Sequence, residues 1–370
     1  MLKSLLGRRT ESALLYILQS GNLYGTERMA LSTLQSLDEY RFRALFAPAP
    51  TGSSGGSVAE AAKSCGFESL LFETRWGLIK ALIPWFIRFG QIDVIGNGVA
   101  QSFICKALSI FMRVRIRQLH IVHGGTEDHH AYGSKFHLNR LSVRLIAVSD
   151  FVKTRLVHHG VRENAIDVID NFVADSQVVQ AVRRAPYLRQ SPGADGALVI
   201  VAVVSRIDPI KRIELLIEAV ERDGLGQFQF DIFGTGIELE RLRTRSARLP
   251  NVRFHGYVVD VEQRLARADF LLHLCPNEPF GLAILEAFIA GVLAVVPSAG
   301  GAGGIVEDGI TGFKFEPDDV EDLIRTLYRA AASDAQQLQV LADEAAHRLE
   351  SRFSQREGAV RYRESFSRLV

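Results

Sequence analysis

Glu278 and Glu286 stand in or beside NEPFGLAILEAFIAG (277–291), a run otherwise as apolar as a buried helix. From Gly281 to Gly291 the one polar side chain is Glu286, which at about 100° per residue falls beside Leu282, Leu285 and Ile289. A carboxylate on a helix apolar nearly all round is costly unless it accepts hydrogen bonds, and a ligand rich in hydroxyls would supply them. Glu278 lies in the loop just before, where Pro279 stiffens the approach and Gly281 lets backbone come close to a bound group. The amides of Phe280, Gly281 and Leu282 are then unsatisfied first-turn donors, suited to an anion such as phosphate. Together these residues predict a ligand that is both phosphorylated and hydroxyl-rich.

Positive charge is expected to meet such a ligand at Arg206, which follows the apolar strand LVIVAVVS, and at Lys211, which opens the next helix. Arg suits phosphate oxygens as a planar fork and Lys acts as a point charge; the alternative for both is solvated surface charge. His120, His123, His129, His130 and His137 fit no compact zinc signature, so no metal is expected. GTGIEL (234–239) carries Leu239 where a nicotinamide fingerprint needs a third glycine or alanine, and no GK[ST] tripeptide or Asp-x-Asp occurs.

The elements that must hold these groups follow from pattern. LLYIL, RFRALFA, DVIGN, RQLHIVH and RLIAVS are near-continuous apolar strands separated by helical periods. The rhythm restarts after residue 197 with LVIVAVVS, QFDIFG, VRFHG, DFLLHL and LAVVP. Such alternation predicts an α/β protein with parallel sheets covered on both faces, in two doubly wound halves, with ligands at the carboxyl ends of the strands and in a cleft between the halves. The segment 183–197, RRAPYLRQSPGADGA, has no apolar period and is the expected linker, between a domain of residues 1–182 and one of 198–352.

Length and composition agree. The 370 residues exceed one usual core, and 43 basic against 42 acidic side chains give no electrostatic preference for nucleic acid. Three scattered cysteines, Cys65, Cys105 and Cys275, point to a reducing cytoplasm. The N-terminal apolar run is too short for a signal peptide, and no window reaches about 18 uninterrupted apolar residues, so no membrane span is expected. The stretch 77–90, with Lys80, Trp85, Phe86 and Arg88 in it and Arg75 and Trp76 just before it, reads as an amphipathic helix packed on its own sheet, the alternative being a segment lying in a bilayer interface.

Glu278 and Glu286, with Phe280 and Gly281 between them, resemble the paired-glutamate signature of glycosyltransferase family 4, the group 1 family. VVSRIDPIKRIELLIEAV (203–220), DIFGTGIELERL, VRFHGYV, SGNLYGTERMALSTL, HIVHGG, RLIAVSDFVKTRL, DVIDNFVAD and FSQREGAVRYRESF resemble further family segments in the family's order. The resemblance implies a GT-B fold of two Rossmann-like domains facing across a cleft, with a tail (about 353–370) crossing back to the first domain. It implies a retaining transferase that moves a sugar from a nucleotide-diphosphate-sugar donor, without cofactor or metal, to a saccharide or lipid-linked saccharide acceptor of a polysaccharide pathway. By matched position, Glu278 would hydrogen-bond the donor sugar and His123 would face it. Glu286 would hold the ribose, Arg206 and Lys211 the diphosphate, and Phe280, Gly281 and Leu282 would supply backbone donors. Gly25 would let the diphosphate approach from the first domain. Gly304 stands where the family commonly has a glutamate, and Asp170-Asn171-Phe172 replaces a more usual Pro-Asn-Gly. An inactive partner of an active transferase and a sugar phosphorylase are the rival readings. The 77–90 stretch, TGSSGGS (51–57) and Arg113, Arg115 and Arg117 are compatible with a membrane-surface acceptor, at the inner face of the cytoplasmic membrane.

Overall fold

The computed structural model describes residues 11–50, 57–124, 132–182 and 196–369. The chain divides into two units, one of Met1–Phe172 with Gln355–Val370 and one of Val173–Ser354. Each is built on a parallel sheet.

The first unit carries strands β1 (Ser12–Ile17), β2 (Phe42–Pro48), β3 (Glu68–Phe72), β4 (Gln91–Gly96), β5 (Arg115–Val122), β6 (Arg144–Ala147) and β7 (Ile166–Val168). Their order is β3-β2-β1-β4-β5-β6-β7. Helices α1 (Gly25–Ser36), α2 (Val58–Ser64), α3 (Arg75–Arg88), α4 (Val99–Met112) and α5 (Asp150–His158) connect them. The second unit opens with α6 (Asp175–Val182), then alternates β8 (Val199–Val204), α7 (Ile213–Asp223), β9 (Phe228–Phe233), α8 (Leu239–Arg245), β10 (Val252–Gly256), α9 (Val261–Leu265) and β11 (Phe270–Leu272). It continues with α10 (Leu282–Ile289), β12 (Leu293–Pro297), α11 (Gly300–Ile305), β13 (Gly312–Phe315), α12 (Val320–Ala331) and α13 (Ala335–Arg352). Its order is β10-β9-β8-β11-β12-β13. The last helix, α14 (Gln355–Ser367), belongs to the first unit, where Arg361 pairs with Asp170 at 3.2 Å and Arg363 with Glu39 at 3.0 Å.

The strand order reverses in each sheet at β1/β4 and at β8/β11, and in parallel sheets a crevice opens outside the carboxyl ends of the strands at such a switch point. The loops carrying Arg206, Lys211 and Glu278 leave β8 and β11, so the sheet order itself brings them to one place.

One sequence reading holds and two change. The stretch 77–90 packs on its own sheet: Trp85 and Phe86 are 7% and 0% exposed and lie with Leu78, Leu82, Phe46 and Ile92 in the core of the first unit. The face that α3 leaves uncovered instead carries Trp76, Ile83 and Ile87. Arg117 is committed internally, because Asp93, fully buried on β4, receives its Nε at 2.8 Å and its Nη2 at 2.5 Å, as well as the Tyr40 hydroxyl. Strands β3 and β13 were not anticipated. Both lie at sheet edges, and β3 is only part-buried along its length, which blurs the apolar run that marks a central strand.

Candidate active site

Two loops build the site of the second unit. After β8 the chain runs through Ser205–Asp208 into one 3-10 turn, Pro209–Lys211, and Arg212 adopts a left-handed conformation (φ 57°) before α7 begins. The Gly-Thr-Gly turn after β9 presses its backbone against this loop. A Cβ on Gly234 would lie 1.9 Å from the Ser205 carbonyl oxygen, and one on Gly236 would lie 2.3 Å from that of Ile207. The amide of Ile207 donates to Thr235 (2.9 Å) and that of Glu238 to Ile207 (3.0 Å), which fixes the approach. The glycines therefore serve contact between backbones at this turn.

The second loop, His273–Gly281, follows β11. It is clamped by the start of α11: the Gly301 amide donates to the Glu278 carbonyl at 2.7 Å, and Cβ atoms on Gly300 or Gly301 would meet the Pro276 and Pro279 oxygens at 2.6 and 2.1 Å. Gly304 differs, since a Cβ there meets nothing within 4 Å. Phe280 turns inward, 3% exposed and edge-on to Phe353, leaving only its backbone for a ligand. Gly281 sits at φ 109°, where a side chain would be strained, and initiates α10. Among the described residues, the amides of Phe280, Gly281 and Leu282 donate to no group, as expected for the first turn of a helix. Glu286, half-buried, lies on the same helix.

Lys211 and Glu278 meet across these loops. Lys211 Nζ donates to Glu278 Oε2 at 2.5 Å, and both side chains are only 15% exposed. Arg206 pairs instead with Asp208 at 2.7 Å and is itself 65% exposed. A third group was not anticipated: His273, buried, has its Nε2 3.5 Å from the same Glu278 oxygen, too poorly aligned to count as a hydrogen bond. Its signal was a lone imidazole closing the apolar run DFLLHL.

Burial pulls the His273 imidazole down to about 4, against the opposing pull of Glu278 and with help from Lys211, so it is neutral at pH 7. Burial would raise the Glu278 carboxyl, but His273, Lys211 and Arg206 hold it below its ordinary value. Because His273 carries no charge at pH 7, Lys211 and, more weakly, Arg206 are the cations that keep Glu278 ionised there. A fixed carboxylate in a poorly hydrated place, next to open amide donors, can accept hydroxyl hydrogens while the amides receive an anion.

In the first unit, Gly25 is the first residue of α1, whose capping box joins the Tyr24 amide to Glu27 (3.1 Å). His123 follows β5, and its Nε2 finds no partner. Burial lowers its pKa to about 4, and that of His120 to about 3 with help from Lys135 and His123. The folded values lie below the ordinary 6.5, so from pH 6.5 down toward 4 the unfolded chain binds more protons and stability falls with pH. Each histidine contributes up to about 1.4 kcal/mol per pH unit. With two such histidines in the first unit and one in the second among the described residues, calorimetric scans from pH 7.5 to 5 are expected to lower the first unit's transition more. Equal shifts, or a rise, would contradict the assignment.

Residues 186–348 match the family model described as Glycosyl transferases group 1. Among solved structures, HepE of Anabaena in complex with UDP aligns with a TM-score of 0.78 and 21% identity over 96% of this chain and 100% of that one. The lipopolysaccharide outer core galactosyltransferase WaaB, in its apo form, aligns at 0.76 and 15% identity over 97% and 100%. The chain has the GT-B fold. Among curated proteins, the glycogen synthase of Pseudomonas syringae pv. syringae (strain B728a) is 37% identical over 134 residues, 35% of this chain and 28% of that protein. That of Xanthomonas euvesicatoria pv. vesicatoria (strain 85-10) is 36% identical over 158 residues, 40% and 29%. The chain thus spans less than a third of the length of these relatives. The segment that matches this family model contains Arg206, Lys211, His273, Glu278 and Glu286 together.

Proposed function

We propose that the protein is a glycosyltransferase that moves a hexose from a nucleoside-diphosphate sugar to a saccharide or lipid-linked saccharide with retention at the anomeric carbon. The observation that carries this reading is the Lys211–Glu278 pair beside the open amides of α10, at the point where the sheet order reverses. Glu278 accepts hydroxyl hydrogens of the donor sugar, Glu286 holds the ribose, and His123 faces the transferred sugar. The amides of Phe280 to Leu282, with Arg206 and Lys211, meet charge developing on the departing diphosphate, and Gly25 leaves room for it. The bond from the anomeric carbon to the diphosphate oxygen breaks, the acceptor oxygen bonds that carbon from the same face, and the acceptor proton passes to the departing phosphate oxygen. No metal or other cofactor enters this scheme.

HepE has been solved with UDP-glucose as well as UDP, which supports a uridine nucleotide as donor here. Calorimetric titration with UDP, GDP, ADP and CDP, each with and without magnesium, tests this: selective, metal-independent UDP binding is expected. Binding of none would favour an inactive partner or a phosphorylase.

A cytoplasmic enzyme at the inner membrane face is the second part of the reading. No helix among the described residues is long and apolar enough to cross a membrane. On α3, Trp76, Lys80, Ile83 and Ile87 share an exposed face, and on neighbouring α4 Phe103, Ile110 and Phe111 do so, Phe111 being 88% exposed. From Arg75 to Arg117 the only acidic residue is Asp93, which is buried, so the face suits an anionic lipid surface. Ile110→Asp with Phe111→Asp is expected to lower co-sedimentation with phosphatidylglycerol vesicles at least fivefold with the melting temperature unchanged. Undiminished binding would remove the membrane assignment.

A further inference from the structure

Lys135, in the 3-10 segment Gly133–Arg140 of the first unit, is only 8% exposed, yet its ammonium has no ion pair or hydrogen bond among the described residues. A desolvated ammonium without a counter-charge costs several kcal/mol, so a fold that keeps one ordinarily presents it to something. Among the described residues no carboxylate pairs with it. The segment packs on α4. In the first turn of that helix the Ser102 hydroxyl lies 3.0 Å from Nδ1 of His120, an imidazole fully buried on β5. Gln118 donates to the Ser102 carbonyl at 3.3 Å and closes the cluster from below. Nε2 of His120 and Nε2 of His123 are both buried atoms with no partner.

Among the described residues, charge and hydrogen-bonding capacity are therefore both in excess where the Gly133–Arg140 segment packs on α4 beside β5. When the Ser102 hydroxyl donates to Nδ1, the His120 tautomer carries its proton on Nε2 and becomes a donor that nothing accepts. Desolvation lowers the pKa of Lys135 as well as those of both imidazoles. In the second unit the balance is the reverse, since Lys211 is paired with Glu278 and Arg206 with Asp208.

We infer that Lys135, with His120 and His123, forms a binding site in the first unit for a phosphate-type anion carried by a substrate. The inference rests on the transferase reading for the source of that anion, either a phosphate on the acceptor or the donor's diphosphate. The site itself rests on the unpaired ammonium and the two partnerless Nε2 atoms.

The test is calorimetric titration of the full chain with inorganic phosphate at constant ionic strength, alone and with saturating UDP. Lys135→Met removes a buried unpaired charge and is expected to fold at least as stably as the parent. Lys63→Met, on exposed α2, matches its change in net charge. Phosphate affinity is expected to fall at least tenfold in Lys135→Met, to be unchanged in Lys63→Met, and to stay within threefold in Lys135→Arg. Phosphate binding that persists with UDP bound identifies an acceptor phosphate, and binding abolished by UDP identifies the donor diphosphate. Either supports the site. A parent chain that binds no phosphate, or a Lys135→Met variant that binds it as the parent does, overturns it. Failure to bind UDP with the phosphate response intact would instead defeat the transferase reading and leave the anion site standing.

Discussion

Glu278→Gln is expected to lower sugar transfer by about 10²- to 10³-fold while UDP affinity changes by less than about fivefold, the size of effect seen when one aligned group is removed from a transition state. The substitution keeps the side chain's shape and one acceptor oxygen, so the loop clamped by Gly300 and Gly301 has no steric reason to move. What it removes is the charge. Lys211 Nζ, 2.5 Å away and 15% exposed, then loses its ionic partner. Complete truncation by Glu278→Ala leaves that ammonium with no acceptor and should cost about 3–5 kcal/mol in the second unit, the usual penalty for breaking a buried pair from one side. Lys211→Met combined with Glu278→Gln should recover part of that stability without recovering transfer, because the pair is then neutral on both sides while the catalytic carboxylate is still missing. The decisive comparison is kcat/KM against the UDP dissociation constant: equal losses in both would assign Glu278 to binding or folding.

Asp93→Ala is expected to destabilise the first unit by about 3–5 kcal/mol. Asp93 is fully buried on β4, receives two guanidinium nitrogens of Arg117, and accepts the Tyr40 hydroxyl. Burial, reinforced by the charge and hydrogen bond of Asp93, holds the Tyr40 phenol well above its ordinary pKa, so it remains a donor at any working pH. Truncation orphans a guanidinium and a phenol in one step. Asp93→Asn, which keeps an acceptor but no charge, should cost less. Denaturant titration followed by Trp85 fluorescence reads the effect, because Trp85 lies in the core of the same unit. A cost below about 1 kcal/mol would show that water or rearrangement replaces the lost contacts. UDP affinity of the folded variant should be unchanged, since the nucleotide contacts are proposed chiefly for the second unit.

Much of this molecule was legible in one dimension. Uninterrupted apolar strands alternating with helical periods dictate parallel sheets, because a strand buried on both faces carries few polar side chains and a parallel neighbour needs a crossover. Both sheets and their doubly wound order follow. Glu278 and Glu286 were conspicuous for the same reason: a carboxylate in or beside an apolar helix is an anomaly that only a partner or ligand resolves. The Gly-Thr-Gly turn was visible as a motif, though not its cause, which is backbone pressed on the Ser205–Ile207 carbonyls.

Partnership is what the tertiary structure decided. Trp85 and Trp76 sit on one amphipathic helix, and only packing on the sheet determines that Trp85 is core while Trp76 is 73% exposed. Arg117 and Arg113 look alike in the chain, but Arg117 faces a buried aspartate 24 residues away. Lys211 and Glu278 are 67 residues apart and meet because β8 and β11 are neighbours at the point where the sheet reverses. His273 and Lys135 gave no strong signal, since a single polar residue in a mixed stretch is unremarkable until its surroundings are known. Periodicity is local and survives in the sequence. Desolvation and charge pairing are set by distances between residues far apart in the chain, and those distances exist only once the sheets have formed.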